Sequence, residues 1–279
     1  MEFYRPTSEP VLERPVMLLA LSGWVDAASV ATGAAEFVAR DGVEVGAFDP
    51  DALFDYRSSR PVLRFSAGDL EDISWPKLRV VHADPGRDVL VVHGNEPDYR
   101  WQQLSAEFVE LMRQFDVALL VTLGAVPAMV PHTRAQIEVV CTTSDASLLL
   151  DDDVMLQEDL VVPGAAVSIL RRAAFDAGIP TIGYWARVPH YLNQQYHAGT
   201  LALLDKVARQ AEVNFDVADL KATAVAQRAD LDRIAGARVE IKEYITRLEG
   251  EESAGDDLPS ADELAAEVER YLRDASEGD

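Results

Sequence analysis

Val117-Ala118-Leu119-Leu120-Val121-Thr122-Leu123, then Gly124-Ala125-Val126-Pro127, then Val130-Pro131-His132-Thr133-Arg134: this stretch decides the fold class. A short apolar run bounded by Gly and Pro reads as a buried strand of a parallel sheet. Gly124 to Pro127 are expected to end it in a turn. Such a turn lies at the carboxyl end of the strand, where open α/β sheets place their ligand crevices. A titratable imidazole, a neutral hydroxyl donor and a permanent cation follow immediately.

The same grammar extends in both directions. Val16 to Leu21 is an apolar run closed by Ser22-Gly23-Trp24. A helix is expected from Ala27 to Arg40, with Asp26 as its N-cap and Val30, Ala34, Phe37 and Val38 on one face. Glu44 to Phe48 reads as a strand, and Asp49 to Gly68 as an extended excursion. Leu78 to His82 and Val89 to His93 are two strands joined by Asp84-Pro85-Gly86, a local antiparallel hairpin. Trp101 to Phe115 follows as a helix with Leu104, Phe108 and Leu111 in its apolar stripe. Beyond the opening stretch come a strand over Ile137 to Thr142, a helix over Val167 to Ala177, a strand over Thr181 to Ala186 and a helix over Tyr196 to Ala211. Strands alternating with helices, with one hairpin among them, predict an α/β fold with a mixed, mostly parallel sheet flanked by helices.

Near Asp216 the period changes. Leu220, Ala224, Leu231, Ile234, Ile241, Ile245 and Leu248 recur at three-four spacing, with polar exceptions at Gln227 and Arg238. That is the seam of helices packing on a partner surface, and Gly236 marks a break between two of them. Glu249 to Asp257 reads as an acidic linker. Ser260-Ala261-Asp262-Glu263 opens a last helix as a capping box, with Leu264, Val268 and Leu272 on one face. The division expected is a core domain over residues 1–212 and a helical appendage over 213–279.

Charge narrows the function. The chain of 279 residues carries a formal net charge of −23. Residues 249–279 hold twelve carboxylates against Arg270 and Arg273, a net −10, which leaves −13 on residues 1–248. Such a surface repels phosphate backbones and anionic lipid, so neither nucleic acid nor membrane is an expected partner. Cys141 is the single cysteine, which rules out an internal disulfide, as suits a cytoplasmic protein. No stretch reaches the length of a membrane span. Neither G-x-G-x-x-G nor G-x-x-x-x-G-K-[ST] occurs, nor a Gly-x-Ser-x-Gly elbow. The five histidines lack zinc-ligand spacing. Neither a metal nor another cofactor is expected. Three successive carboxylates at Asp151 to Asp153 do not point at one centre, and a solvated acidic turn is the expectation there.

Four motifs in order carry a resemblance: Gly23-Trp24-Val25-Asp26-Ala27, then Gly124 and Pro127 leading to Pro131-His132-Thr133-Arg134, then Val162-Pro163-Gly164, then Val188-Pro189-His190-Tyr191. Together they resemble the actinobacterial-type bacterial branch of the proteasome assembly chaperone 2 family, over about Ser22 to Leu272. Two departures stand out: Ala135 where the pattern has proline, and Ala165-Ala166 where it has a serine. The resemblance implies a core like that of nucleoside phosphorylases, a C-terminal helical piece and a homotrimer. Eukaryotic relatives chaperone proteasome assembly; for bacterial members the family supplies no established activity.

Nine residues are candidates for ligand binding at the strand ends. His132, Thr133 and Arg134 form a sound anion-binding set, unless Arg134 simply pairs with a carboxylate and His132 caps a turn. His190 and Tyr191 either face the same crevice or form a rigid turn with a packed aromatic. Trp24 offers an apolar roof, and Asp26 reads first as a helix cap. Asn95 and Glu96 follow a strand and either edge a ribose or lie in an exposed acidic loop. The leading functional expectation is a non-enzymatic, oligomeric interaction or assembly protein with a protein partner. The alternative is a binder of, or enzyme on, a nucleoside or other small anionic ligand.

Overall fold

The computed structural model describes residues 1–252 apart from Glu158; the helix expected from Ser260 lies outside these. The strands are β1 (Tyr4–Pro6), β2 (Val16–Ser22), β3 (Val43–Phe48), β4 (Val62–Ser66), β5 (Asp69–Ser74), β6 (Leu78–Ala83), β7 (Val89–Asn95), β8 (Leu119–Ala128), β9 (Val139–Thr142), β10 (Val154–Met155) and β11 (Thr181–Pro189). The helices are α1 (Val30–Ala39), α2 (Pro50–Leu53), α3 (Trp101–Gln114), α4 (Ala166–Asp176), α5 (His197–Ala211), α6 (Ala218–Gly236) and α7 (Val239–Glu252). Among the described residues nine strands form one sheet in the order β1-β3-β6-β7-β2-β8-β11-β9-β10, while β4 and β5 pair only with each other.

The sheet is mixed, and its centre is parallel. β7, β2, β8 and β11 run side by side in one direction, and antiparallel pairs flank them. The centre has no polar face. Val16 to Leu21 is buried throughout, because alternate residues point into two different cores. Leu18, Ala20, Val91 and Val121 meet α1 and α5 on one side. Met17, Leu19, Leu90 and Leu120 meet α3 and α4 on the other. Burying each aliphatic side chain contributes about 1.5–3 kcal/mol, so this double-sided core outweighs any local preference.

The opening stretch behaves differently from expectation at one point. Gly124 to Pro127 is no turn; β8 runs through it to Ala128 and pairs with β11 in register, Gly124 beside Trp185 and Pro127 beside Val188. Gly124 is there because the Trp185 ring lies across it: a Cβ would sit 2.3 Å from a ring carbon. Pro127 is tolerated because β2 pairs with β8 only over Leu119 to Thr122, so no ladder bond to β2 is lost there. The loop at this edge therefore begins at Met129.

The expected excursion over Asp49 to Gly68 contains α2 and β4, and with β5 it makes a hairpin rising from the carboxyl edge between β3 and β6. α6 and α7 break near Gly236 as the spacing predicts, Ala237 and Arg238 standing between them. Of the seam residues, Ile245 and Leu248 are buried but Ile234 is half-exposed. No helix among the described residues is long and apolar enough to cross a membrane.

Candidate functional site

The carboxyl edge of the parallel strands has two halves. Past β2 and β7, the predicted residues serve the fold, and the two carboxylates close joints between strand and helix. Asp26 is buried, and its Oδ1 accepts the N–H groups of Ala31 (2.8 Å) and Thr32 (3.1 Å) while Oδ2 takes the Thr32 hydroxyl. It caps α1 as expected, from further back than an ordinary N-cap. The reason is that Ala28 and Ser29 both hold left-handed φ angles, 51° and 49°, which cost on the order of 1–3 kcal/mol each. Burial pushes the Asp26 carboxyl up to about 6, against the donors that favour its charged form. Glu96 Oε1 accepts the Ala166 N–H at 2.6 Å, so a carboxylate from β7's end caps α4 where Ala165 has no side-chain oxygen to do it. Asn95 Oδ1 accepts the Lys77 N–H at 3.1 Å. Trp24 is half-buried against the α3–α4 core.

Past β8 and β11 the residues gather instead around the C-terminal helices. His132 is almost fully buried, and the Tyr191 hydroxyl accepts its backbone N–H at 2.6 Å and bonds its Nδ1 at 2.8 Å. Its Nε2 faces Asp232 Oδ1 of α6 across 3.3 Å, without the alignment of a hydrogen bond. Arg228 of α6 donates to the His132 carbonyl at 2.9 Å and grips Asp232 through Nε. Thr133 donates to Glu249 of α7 at 2.5 Å. His190 Nδ1 lies 3.2 Å from the Ala128 carbonyl and its Nε2 2.9 Å from the Tyr244 hydroxyl of α7. The rings of His132, Tyr191, His190 and Tyr244 meet edge to face at 5.3–6.3 Å. Arg134 pairs with Glu138 at 2.9 Å, and the same carboxylate holds Arg187 at 3.1 Å.

Burial governs the protonation of these groups. Burial, helped by Arg228, holds the His132 imidazole below its ordinary value despite Asp232. Burial likewise pushes the Tyr191 phenol up, so the hydroxyl is a proton-bearing donor and no activated nucleophile. Buried Cys141, with its thiol pushed up to about 11, packs as a small apolar group. No group of three His, Cys, Asp or Glu gathers for a metal among the described residues.

The sequence profile of the PAC2 family matches residues 20–235. The chain belongs to the PAC2 family. Three solved structures illustrate the likeness. A Mycobacterium tuberculosis protein of unknown function has a TM-score of 0.88 at 28% identity, with 95% of this chain and 96% of that one covered. A Streptomyces avermitilis PAC2 family protein gives 0.73 at 32%, over 82% and 99%. A Mycobacterium tuberculosis proteasome-assembly chaperone homologue gives 0.74 at 30%, over 82% and 99%. No protein with a curated description matches the chain.

Within this PAC2-family fold, two sets of residues escaped sequence reasoning. Arg228, Asp232 and Tyr244 look like the solvated face of a helix until β8 and β11 are seen beneath them. One signal did exist: Gln227, the polar interruption of the seam, accepts the His197 N–H (3.1 Å) and donates to the Gln195 carbonyl (2.6 Å). The second set corrects the acidic turn. Asp151 and Asp152 are exposed, but the Asp153 side chain is fully buried, 2.7 Å from Lys206 Nζ, and accepts the Leu150 N–H and the Tyr184 hydroxyl, each at 2.9 Å. Its partner lies 53 residues away in sequence, beyond any local pattern.

Proposed function

We propose that this PAC2-family protein acts through protein–protein contacts rather than catalysis, as a homo-oligomer that serves the assembly of other protein subunits in the cytoplasm. The observation that carries the proposal is the β4–β5 hairpin. Leu63 pairs with Ile73 and Phe65 with Leu70, so four large apolar side chains share one face. Their exposures run from 39% to 63%, and every residue of both strands is exposed. A two-stranded hairpin is marginal in water by itself, and an apolar face of this kind marks an interaction surface. A second copy of the chain is the occupant favoured by charge. Residues 57–77 carry Arg57, Arg60, Arg64 and Lys77 against Asp69, Glu71 and Asp72, a local +1 on a chain of −23, which suits an acidic neighbour.

An arm on one copy seated on a different surface of the next closes into a ring, in keeping with the trimer that the family resemblance implies. The core over 1–212 and the appendage over 213–279 are separate units in this reading. The relative described as a proteasome-assembly chaperone homologue supports a client made of protein subunits. Light scattering at micromolar concentration tests the self-association, and a monomer would end it. Pulldown from the native host tests the client, and recovery of nothing but the chain's own copies would remove it. The competing ligand reading needs nucleosides, nucleotides or phosphate to raise the melting temperature, and Arg134→Ala to abolish that rise.

A further inference from the structure

Val162-Pro163-Gly164 leads into α4 without holding it, since the carboxylate that caps this helix at Ala166 comes from Glu96. The side chains of the segment face water instead. Val161 and Val162 are 94% and 54% exposed, and Ile169 in the first turns of α4 is 39% exposed. Gly164 lies against Ile169, where a Cβ would stand 3.8 Å from its Cδ1, so the loop and the start of α4 present one apolar patch. Aliphatic side chains gathered in water mark an interaction surface.

We infer, building on the self-association proposed above, that this patch is the seat for the β4–β5 hairpin of a second copy of the chain. Three observations select that occupant. The first is place. The hairpin leaves the carboxyl edge between β3 and β6, whereas α4 packs on β8 and β11 with its start at the same edge. β7 and β2 stand between them, which at about 4.8 Å per strand separates root and patch by ~14 Å or more. An arm and a seat at different points of one edge meet head to tail, the kind of contact that closes into a ring. The second is vacancy: every residue of both hairpin strands is exposed, so a chain's own arm leaves its own patch open. The third is charge. Residues 157–169 hold Glu158 and Asp159 and no cation. Further along α4, Arg171 turns inward to the Thr142 carbonyl at 2.7 Å and Arg172 is held by Asp176 at 2.9 Å. The hairpin's +1 meets acid there, whereas two hairpins packed face to face would set +1 against +1.

Crosslinking on the full-length protein tests this. A tagged Phe65→Cys chain, mixed with an untagged Val162→Cys chain and treated with a flexible bismaleimide, should give a covalent pair of one tagged and one untagged chain. Cys141 is buried and takes no part. Covalent pairs from Phe65→Cys alone, with none from the mixture, overturn the inference, because hairpin then meets hairpin. Val161→Asp combined with Val162→Asp should weaken self-association by about tenfold or more, as loss of one buried aliphatic contact does. Both side chains are exposed in the single chain, so the melting temperature of the separated protein should stay unchanged. Unaltered self-association in that variant overturns the seat as well. Light scattering of the wild type keeps the two readings apart. A monomer ends self-association and the seat together, whereas an oligomer without the 65–162 linkage removes the seat alone.

Discussion

Two pieces stand on the same carboxyl edge of the sheet, and they are attached in opposite ways. The β4–β5 hairpin offers Leu63, Phe65, Leu70 and Ile73 to the outside and contributes nothing to either core. The α6–α7 pair faces inward and is fastened largely by polar groups: Arg228 to the His132 carbonyl, Thr133 to Glu249, Tyr244 to His190, Gln227 to Gln195. Non-directional apolar area suits a surface that must find another molecule. Directional hydrogen bonds suit a piece that must sit in one place, because each left unmade costs about 1–3 kcal/mol. The residues that look most like a ligand site thus hold the second piece, and the exposed apolar surface is on the first.

The comparison breaks most visibly at the hairpin. Phe65→Asp with Ile73→Asp should weaken self-association by at least a hundredfold in analytical ultracentrifugation, since removing one large apolar side chain from an interface forfeits about 2 kcal/mol. The same variant should leave the melting temperature of the separated chain within about 2 °C of wild type. A loss of folding would place the hairpin in the core after all. Deleting residues 213–279 should do the converse, lowering the melting temperature by about 10 °C, as a few kcal/mol does for a domain of this size. A truncated protein as soluble and as stable as the full chain would refute the docking.

A finer distinction comes from pH. The folded imidazole of His132 sits below the 6.5 of the free group. Its contribution to stability is therefore complete above 6.5 and is lost as pH falls from there toward the folded value, where the unfolded chain binds a proton that the folded one refuses. Lowering pH from 7.5 to 5.5 should reduce the hydrogen-exchange protection factors of α6 and α7, taken relative to the intrinsic rate at each pH, and His132→Gln should flatten that response. The groups facing this imidazole are the Tyr191 hydroxyl, Asp232, Arg228 and Glu249. Hairpin self-association, with no histidine in residues 57–77, should change less than threefold over the same range. A pH response of equal size in both regions would erase the contrast. The smallest effect expected is none: a thermal-shift series with nucleosides, nucleotides and phosphate should move the melting temperature by less than about 1 °C. A rise that Arg134→Ala removes would restore the edge as a ligand site.

Much of the fold is legible because its signals are local. The β2 run, the β6–β7 hairpin around Asp84-Pro85-Gly86 and the α3 stripe each declare themselves within ten or fifteen residues. What escapes is set by partners distant in sequence. Gly124 reads as a turn until Trp185 is placed across it, and Asp153 reads as solvated until Lys206 arrives from α5. The β4–β5 segment alternates apolar and polar residues around Arg64 and Asp72, but nothing nearby shows that the sheet leaves it outside. For the site, sequence places His132, Thr133, His190 and Tyr191 at the correct edge and together. It cannot show that α6 and α7 occupy the space opposite them, because Arg228, Asp232 and Tyr244 have the composition of an ordinary wet helix.

The lone thiol has a practical consequence. Cys141 lies buried in the α1–α5 core, and with its acidity at about 11 only on the order of one molecule in a few thousand carries the reactive thiolate at pH 7.5. Maleimide and methanethiosulfonate probes should therefore pass over the native protein. A cysteine introduced at position 65 or 246 would be the sole labelled site, so fluorescence or spin reporters can watch the hairpin and the outer face of α7 without first removing Cys141.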